Sequence, residues 1–229
     1  MRKNGIVVAI DGPAGAGKST TAKWVAKSLD YLYLDTGAMY RAVGLAVVRS
    51  GVLADDAQAV CALAQSLVID QKADGTGAKT FLNGEDVSGL IRTPEVSDAA
   101  SRVAVHQGVR DVLVATQRAI GQDGGIVLEG RDTGTAIFPD AELKVFLVAD
   151  VAERAQRRQK EMALKGDVAD LAVLEDQIRE RDERDRQTQL RFGSWPSEDA
   201  VLLDTTGLSV DEQVAKVVEL AQKWMQSDV

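Results

Sequence analysis

One stretch near the start of the chain limits the possible folds more than any other. Residues 7–20 read VVAIDGPAGAGKST, and a helical pattern follows as far as Leu29. The spacing Gly12-x-x-x-x-Gly17-Lys18-Ser19 is typical of a phosphate-binding loop, which needs a strand before it and a helix after it. The stretch therefore predicts a strand, a phosphate loop, and a helix from Lys18 to about Leu29.

The backbone of such a loop carries its chemistry. Glycines let successive N–H groups turn toward an anion, and the helix start adds positive potential. We expect Lys18 to place its charge beside the β- and γ-phosphates of a nucleoside triphosphate, and Ser19 to reach Mg²⁺ directly or through a water. The expected phosphate-binding residues are Gly12, Pro13, Ala14, Gly15, Ala16, Gly17, Lys18, Ser19 and Thr20.

Composition argues against several other classes of protein. The chain has 229 residues, 45% of them hydrophobic, which is enough for one sizeable core. No run approaches the ~18 apolar residues of a membrane span, and the first residues lack a signal-peptide pattern. Cys61 is the single cysteine, so no internal disulfide can form. The net charge of −8 argues against a general nucleic-acid coat. We expect a cytoplasmic protein.

Strands and helices alternate along most of the chain. Strand patterns recur at YLYLD, GIVLEG, LKVFLVA and DAVLLD. Helices are predicted from about Val151 to Lys165, from about Asp170 to Gln187, and over a last amphipathic segment. The apolar face of that last helix carries Val214, Val217, Val218 and Ala221. This alternation predicts an α/β fold with a doubly wound parallel sheet.

The alternation breaks in the first half of the chain. The short segments LVID, KTFLN and EDVSGLI are joined by turn signals at Asp74-Gly75 and Asn83-Gly84, which predicts a small antiparallel insert. Before it, Thr36 is predicted to cap a helix that stops at Gly51. After it, TPEVSDAASRVAVHQGVRDVLVATQRAIG reads as helical, with Pro94 at an early position.

Arginines are concentrated in ERAQRRQ and IRERDERDRQTQLRF. Such clusters either bind a compact anion or form solvated helix faces with i,i+4 ion pairs. A GTPase switch would need an Asn-Lys-x-Asp guanine motif, which the sequence lacks. A small-molecule kinase would need a second anion site and an arginine-bearing lid. A kinase acting on a small metabolite and a slowly hydrolysing nucleotide switch both stay open on these residues alone.

Five segments together resemble bacterial cytidylate kinases: DGPAGAGKST, LDTGAMYRAV, LNGEDVSGLIRTPEVSDAASRVA, LEGRDTGTAIFPDAELKVFL and RERDERDR. The resemblance implies one P-loop kinase domain over residues 1–229. Its core would lie at about 1–35, 96–150 and 190–229, its nucleoside-monophosphate region at about 36–95, and its lid at about 151–189. It also implies ATP as donor with Mg²⁺, CMP and dCMP as acceptors, a monomer, and no nucleic-acid or membrane partner.

The resemblance implies a role for each of a set of residues. The CMP phosphate would be held by Thr36, Arg41 and Arg131. The cytosine amino group would meet Asp132, the cytosine edge would contact Ser101 and Arg110, and the ribose and phosphate side would be held by Arg181 and Asp185. The lid arginines that close over ATP would be Arg154, Arg157 and Arg158. Lys18, Arg131 and these three lid arginines would act in catalysis by neutralising charge on the transferred group.

The chemistry of cytosine agrees with that set. Its edge offers an amino donor and the acceptors N3 and O2, whereas uracil would place an acceptor oxygen against Asp132. On the residues alone, Asp132 could instead pair with an arginine, and Ser101 could be an ordinary helix-surface serine. The phosphate of CMP is already an anionic nucleophile, so His106 is expected to be structural or exposed.

The chain departs from the family pattern after RERDERDR, where a further arginine is usual and Thr188 stands instead. Arg191 is the nearest arginine downstream. It either supplies the missing contact to CMP or is a solvated charge near a loop.

Overall fold

The computed structural model describes residues 2–75, 77–164, 166–191 and 195–227. Within these ranges, none of the helices combines the length and the apolar character needed to cross a bilayer.

The strands and helices that the sequence predicts occur in the predicted order. The strands are β1 (Val7–Asp11), β2 (Leu32–Asp35), β3 (Ile69–Ala73), β4 (Ala78–Leu82), β5 (Glu85–Asp86), β6 (Ile126–Glu129), β7 (Leu143–Val148) and β8 (Val201–Asp204). The α-helices are α1 (Lys18–Leu29), α2 (Thr36–Ser50), α3 (Ala57–Ser66), α4 (Pro94–Val103), α5 (Gln107–Gly121), α6 (Val151–Ala163), α7 (Leu171–Leu190) and α8 (Val210–Ser227). A 3₁₀ turn covers Leu90–Arg92 and a π-helical turn covers Thr133–Ile137.

The chain divides into two compact units. The larger unit holds Met1–Tyr31 and Gly124–Val229, and the smaller one holds Leu32–Asp123. From the sequence, residues 96–150 were expected to belong to the core. In the structure, α4 and α5 lie in the smaller unit.

A parallel sheet forms the centre of the larger unit. Strands β6, β1, β7 and β8 lie side by side in that order and all run parallel. Every residue of β1 and β6 is buried, as is usual for parallel strands that helices cover on their faces. The helices α1 and α8 pack against one another, and α1 also contacts β6. This arrangement confirms the predicted α/β fold.

The face of α8 that packs inward agrees with the predicted stripe. Val217 and Ala221 are fully buried, and Val214 and Val218 are partly buried. Elsewhere in the same unit, α6 and α7 pack through Ala155, Leu174 and Ile178. The last turn of the predicted lid helix ends earlier than expected, at Ala163, and Lys165 lies outside the described residues.

The smaller unit contains the predicted antiparallel insert. Strands β3, β4 and β5 form a three-stranded sheet with antiparallel pairing. Asn83 and Gly84 both have positive φ, 51° and 86°, as a tight two-residue hairpin turn requires. Gly75 also has positive φ.

One local prediction in the smaller unit is wrong. The cap of α2 is Asp35, whose carboxylate accepts a hydrogen bond from Ala38 N at 2.8 Å, and Thr36 is the first helical residue. The stretch after Pro94 is helical as predicted, and it forms two helices because the chain leaves helical geometry at His106. The ring Nε2 of His106 lies 2.7 Å from the carbonyl oxygen of Ala54, which ties this break to the loop before α3.

Candidate active site

The phosphate loop begins directly after β1 and ends in the first turn of α1. Gly12 has φ +146°, and a Cβ there would stand 2.2 Å from the carbonyl oxygen of Leu147, so a side chain is excluded. Gly17 caps α1 in the left-handed conformation, with φ +92°. The loop therefore lies at the carboxyl end of a central parallel strand, where open α/β sheets bind their ligands.

Lys18 is buried in this loop, with only 6% of the residue exposed. Its Nζ donates a hydrogen bond to the carbonyl oxygen of Pro13 at 2.8 Å. Burial lowers the pKa of the Lys18 ammonium to about 7, and repulsion from Arg131 acts in the same direction. Attraction from Glu129 and Asp185 opposes this shift. Charged side chains from β6, from the loop after it and from α7 are thus near enough to affect the pKa of this lysine.

Glu129 ends β6, the parallel neighbour of β1, and its Oε1 accepts a hydrogen bond from Ser19 Oγ at 2.6 Å. A hydroxyl and a carboxylate beside a phosphate loop suit Mg²⁺, which prefers oxygen ligands and completes its shell with phosphate oxygens and waters. The sequence motif predicted Ser19 as a magnesium residue but did not indicate Glu129. Glu129 could have been found from the sequence, because it is the acidic residue near the end of the predicted strand GIVLEG.

Asp11 was missed as well, although it closes β1 immediately before the loop. Its carboxylate accepts hydrogen bonds from Thr133 N, Thr133 Oγ1 and Gly134 N, each at 2.9 Å. Burial raises the pKa of Asp11 to about 6, and these hydrogen bonds limit the rise. They fix the backbone that directly follows Asp132, which is itself buried.

Arg131 and Asp185 form an ion pair between the loop after β6 and α7. Arg131 Nε lies 2.8 Å from Asp185 Oδ2, and both side chains are largely buried. Arg181 lies one helical turn earlier, with its Nε 4.0 Å from the same carboxylate oxygen. The structure thus brings together three residues that the sequence assigned to the CMP site, within one unit.

The three predicted lid arginines on α6 differ in their surroundings. Arg158 is exposed. Arg157 donates a hydrogen bond to the carbonyl oxygen of Thr205 at 2.6 Å. Arg154 is only 4% exposed and makes a two-bond ion pair with Asp182.

The other candidate residues lie in the smaller unit. Thr36 and Arg110 are buried. Arg41 Nη2 lies 3.2 Å from Asp35 Oδ2, and Arg41 Nε is buried without a hydrogen-bond partner. Ser101 is exposed, and its hydroxyl donates to the carbonyl oxygen one turn earlier in α4 at 3.1 Å.

The departure from the family pattern lies in the last turn of α7. Thr188 is helical, and Arg191 follows the helix as an exposed capping residue. A contact between Arg191 and CMP stays a prediction.

Phosphoryl transfer needs positive charge around a bound triphosphate and little covalent chemistry from the protein. The phosphate loop with Lys18, and Arg131 and Arg181 near it, supply the positive charge that the class of phosphate-loop kinases needs.

Comparison with known proteins narrows the class. Residues 8–223 match the family model for cytidylate kinase. The chain is 46% identical over 221 residues to the cytidylate kinase of Geobacillus sp. (strain WCH70), covering 96% of this chain and 98% of that one. It is 45% identical over 225 residues to the cytidylate kinase of Geobacter sp. (strain M21), covering 97% and 94%. The chain belongs to the cytidylate kinase family.

The fold also recurs in a solved structure. The crystal structure of an uncharacterized protein from Eubacterium ventriosum ATCC 27560 aligns with a TM-score of 0.55 at 12% identity, over 95% of this chain and 98% of that one. At this identity the likeness concerns the fold alone.

Proposed function

We propose that the chain transfers the γ-phosphoryl group of ATP to CMP and dCMP, giving CDP and dCDP. One observation carries the proposal beyond family membership. Arg131 Nε and Asp185 Oδ2 form an ion pair at 2.8 Å, with Arg181 beside it, and these charges are near enough to Lys18 to affect its pKa. This supports one site in the larger unit that combines the phosphate loop with a second group of charged residues.

The reaction follows from this arrangement. An oxygen of the CMP phosphate attacks the γ-phosphorus, the bond to the β–γ bridging oxygen breaks, and ADP leaves. The attacking oxygen is already ionised, so no base is required. Lys18 and Arg131 neutralise charge on the transferred group, with Arg154, Arg157 and Arg158 on the ATP side.

Ser19 and Glu129 would hold Mg²⁺ with the loop. Their oxygens are 2.6 Å apart, and their hard-donor chemistry fits the ion. When bound, Mg²⁺ supplies charge neutralisation for the triphosphate.

The monophosphate is recognised by the residues that the family resemblance implies. We assign the phosphate to Thr36, Arg41 and Arg131, the cytosine to Ser101, Arg110 and Asp132, and the ribose side to Arg181 and Asp185. We also infer that the enzyme works as a cytoplasmic monomer.

A coupled assay of ADP release tests the proposal with CMP, dCMP, UMP and AMP as acceptors. We expect turnover with CMP and dCMP well above that with UMP and AMP. Slow ATP hydrolysis that no acceptor accelerates would instead indicate a nucleotide switch.

Lys18→Ala serves as the inactive control in that assay. Losing a charge aimed at the transition state should raise the barrier by about 3–4 kcal/mol, while circular dichroism should report a folded protein. Near-normal turnover by the folded variant would refute the role of the loop.

A further inference from the structure

Arg154 differs from the other two lid arginines because it is buried and its guanidinium contacts the phosphate loop. Nε donates to the carbonyl oxygen of Ala149 at 3.0 Å. Nη1 donates to the carbonyl oxygen of Ala14 at 3.0 Å and to Asp182 Oδ1 at 3.0 Å. Nη2 donates to Asp182 Oδ2 at 2.6 Å. These four hydrogen bonds hold the buried side chain in one orientation.

The contact with Ala14 is a contact with the phosphate loop itself. The aliphatic stem of Arg154 also covers the loop, because a Cβ on Gly15 would stand 3.2 Å from Arg154 Cβ and 3.6 Å from its Cγ. Arg154 therefore braces the loop at two consecutive residues, Ala14 and Gly15.

This brace has a consequence for phosphate binding. The carbonyl of Ala14 and the N–H of Gly15 belong to one planar trans peptide and point in opposite directions. A carbonyl held toward Arg154 therefore directs the Gly15 N–H away from Arg154, to the side on which a phosphate loop presents its donors. If this peptide rotated, a carbonyl oxygen would face the anion instead.

Asp182 determines where the Arg154 head lies. Its two oxygens match the two terminal nitrogens of the guanidinium, a geometry that fixes both position and plane. Asp182 in turn stands on α7, which packs against α6 through Leu174 and Ile178. The carboxylate is thus anchored independently of the loop.

We propose that Asp182 is a positioning residue for ATP binding: through Arg154, it holds the Ala14–Gly15 peptide in the orientation that presents the Gly15 N–H to the nucleotide phosphates. The inference rests on the proposed use of this loop for ATP. It assigns Asp182 no contact with the nucleotide.

The test compares Asp182→Asn with wild type in calorimetric titrations with MgADP and in steady-state kinetics. Losing one charged hydrogen bond should weaken nucleotide binding about tenfold, with a matching rise in KM for ATP and a change in KM for CMP within about twofold. Glu183→Gln is the matched control, because Glu183 is the next residue of α7 and pairs with Arg186 at the exposed surface. It should leave both constants unchanged.

A double variant separates positioning from simple stabilisation. Asp182→Asn should add nothing to the weakening caused by Arg154→Met, because Asp182 acts only through Arg154. Asp182→Glu should restore part of the affinity. Urea denaturation reports stability separately, and Arg154→Lys, which keeps the stem over Gly15 and one donor, replaces Arg154→Met if that variant does not fold.

Each outcome decides the proposal. Three results would overturn the proposal while leaving the kinase assignment intact. They are an unchanged MgADP affinity in a folded Asp182→Asn protein, additive losses of MgADP affinity in the double variant, and a change in KM that is confined to CMP. If wild type bound neither MgADP nor MgATP, the proposed function and this inference would fail together.

Discussion

Lys18 makes the stability of the folded chain depend on pH with a definite sign. Its pKa is about 7 in the folded protein and 10.5 ordinarily. Below about pH 7 the folded chain must bury a charged ammonium, which costs stability. Above this pH the folded protein releases the proton while the unfolded chain keeps it, so the cost shrinks as pH rises.

We therefore expect wild type to gain free energy of unfolding relative to Lys18→Met between about pH 7 and about pH 9. Urea denaturation of both proteins at several pH values measures the difference. A difference that stays constant across this range would show that Lys18 keeps its proton in the folded protein.

Asp132 is the residue at which base choice should be decided. Asp132→Asn keeps the size of the side chain but can turn an amide donor toward uracil O4, so the preference for CMP over UMP should shrink by about 1–3 kcal/mol in kcat/KM. Asp140→Asn is the control, since Asp140 is an exposed acid on the same connection between β6 and β7. Equal losses with both acceptors would assign Asp132 to structure instead.

At the scale of elements, the close packing of α2 against α4 depends on one glycine. A Cβ on Gly44 of α2 would stand 2.8 Å from Ala100 N and 2.9 Å from Val96 O, both backbone atoms of α4. A helix backbone atom cannot move away by itself, so the two helices would have to separate to make room for the Cβ.

Gly44→Ala should therefore lower the free energy of unfolding by about 1–2 kcal/mol, even though alanine favours a helix over glycine by about 1 kcal/mol. Chemical denaturation measures the change. Gly89→Ala is the matched control, because Gly89 has φ −76° and no atom within 4 Å of an added Cβ. A Gly44→Ala protein as stable as wild type would mean that α2 and α4 separate without cost.

At the scale of the whole molecule, the proposed substrate should stabilise the folded chain by mass action. CMP at about 100 times its Kd should add about 2.7 kcal/mol. For a chain of this length that corresponds to a rise in Tm of about 5–10 °C. UMP at the same concentration should raise Tm less, because it lacks the amino group from which Asp132 is proposed to accept a hydrogen bond. Differential scanning calorimetry measures both, and equal shifts would argue against selectivity at the binding step.

The sequence determined the features that depend on a few neighbouring residues. It predicted the bounds of α1 at Lys18 and Leu29, the turn at Asn83-Gly84, and Pro94 at the start of α4, since caps, turns and glycine-rich loops act over one or two turns of chain. The phosphate loop and the alternation of strands and helices were predicted from local patterns of the same kind.

Only the tertiary structure decided which distant residues meet. Glu129 reaches Ser19 because β6 lies beside β1 in the sheet, and Asp11 holds Thr133 for the same reason. Strand order is set by packing of the whole core, and no local pattern records it. The brace on the phosphate loop depends in the same way on how α6 and α7 pack. Burial then shifts the pKa of Lys18 and Asp11, because charge costs more away from water, and burial is a property of the folded chain alone.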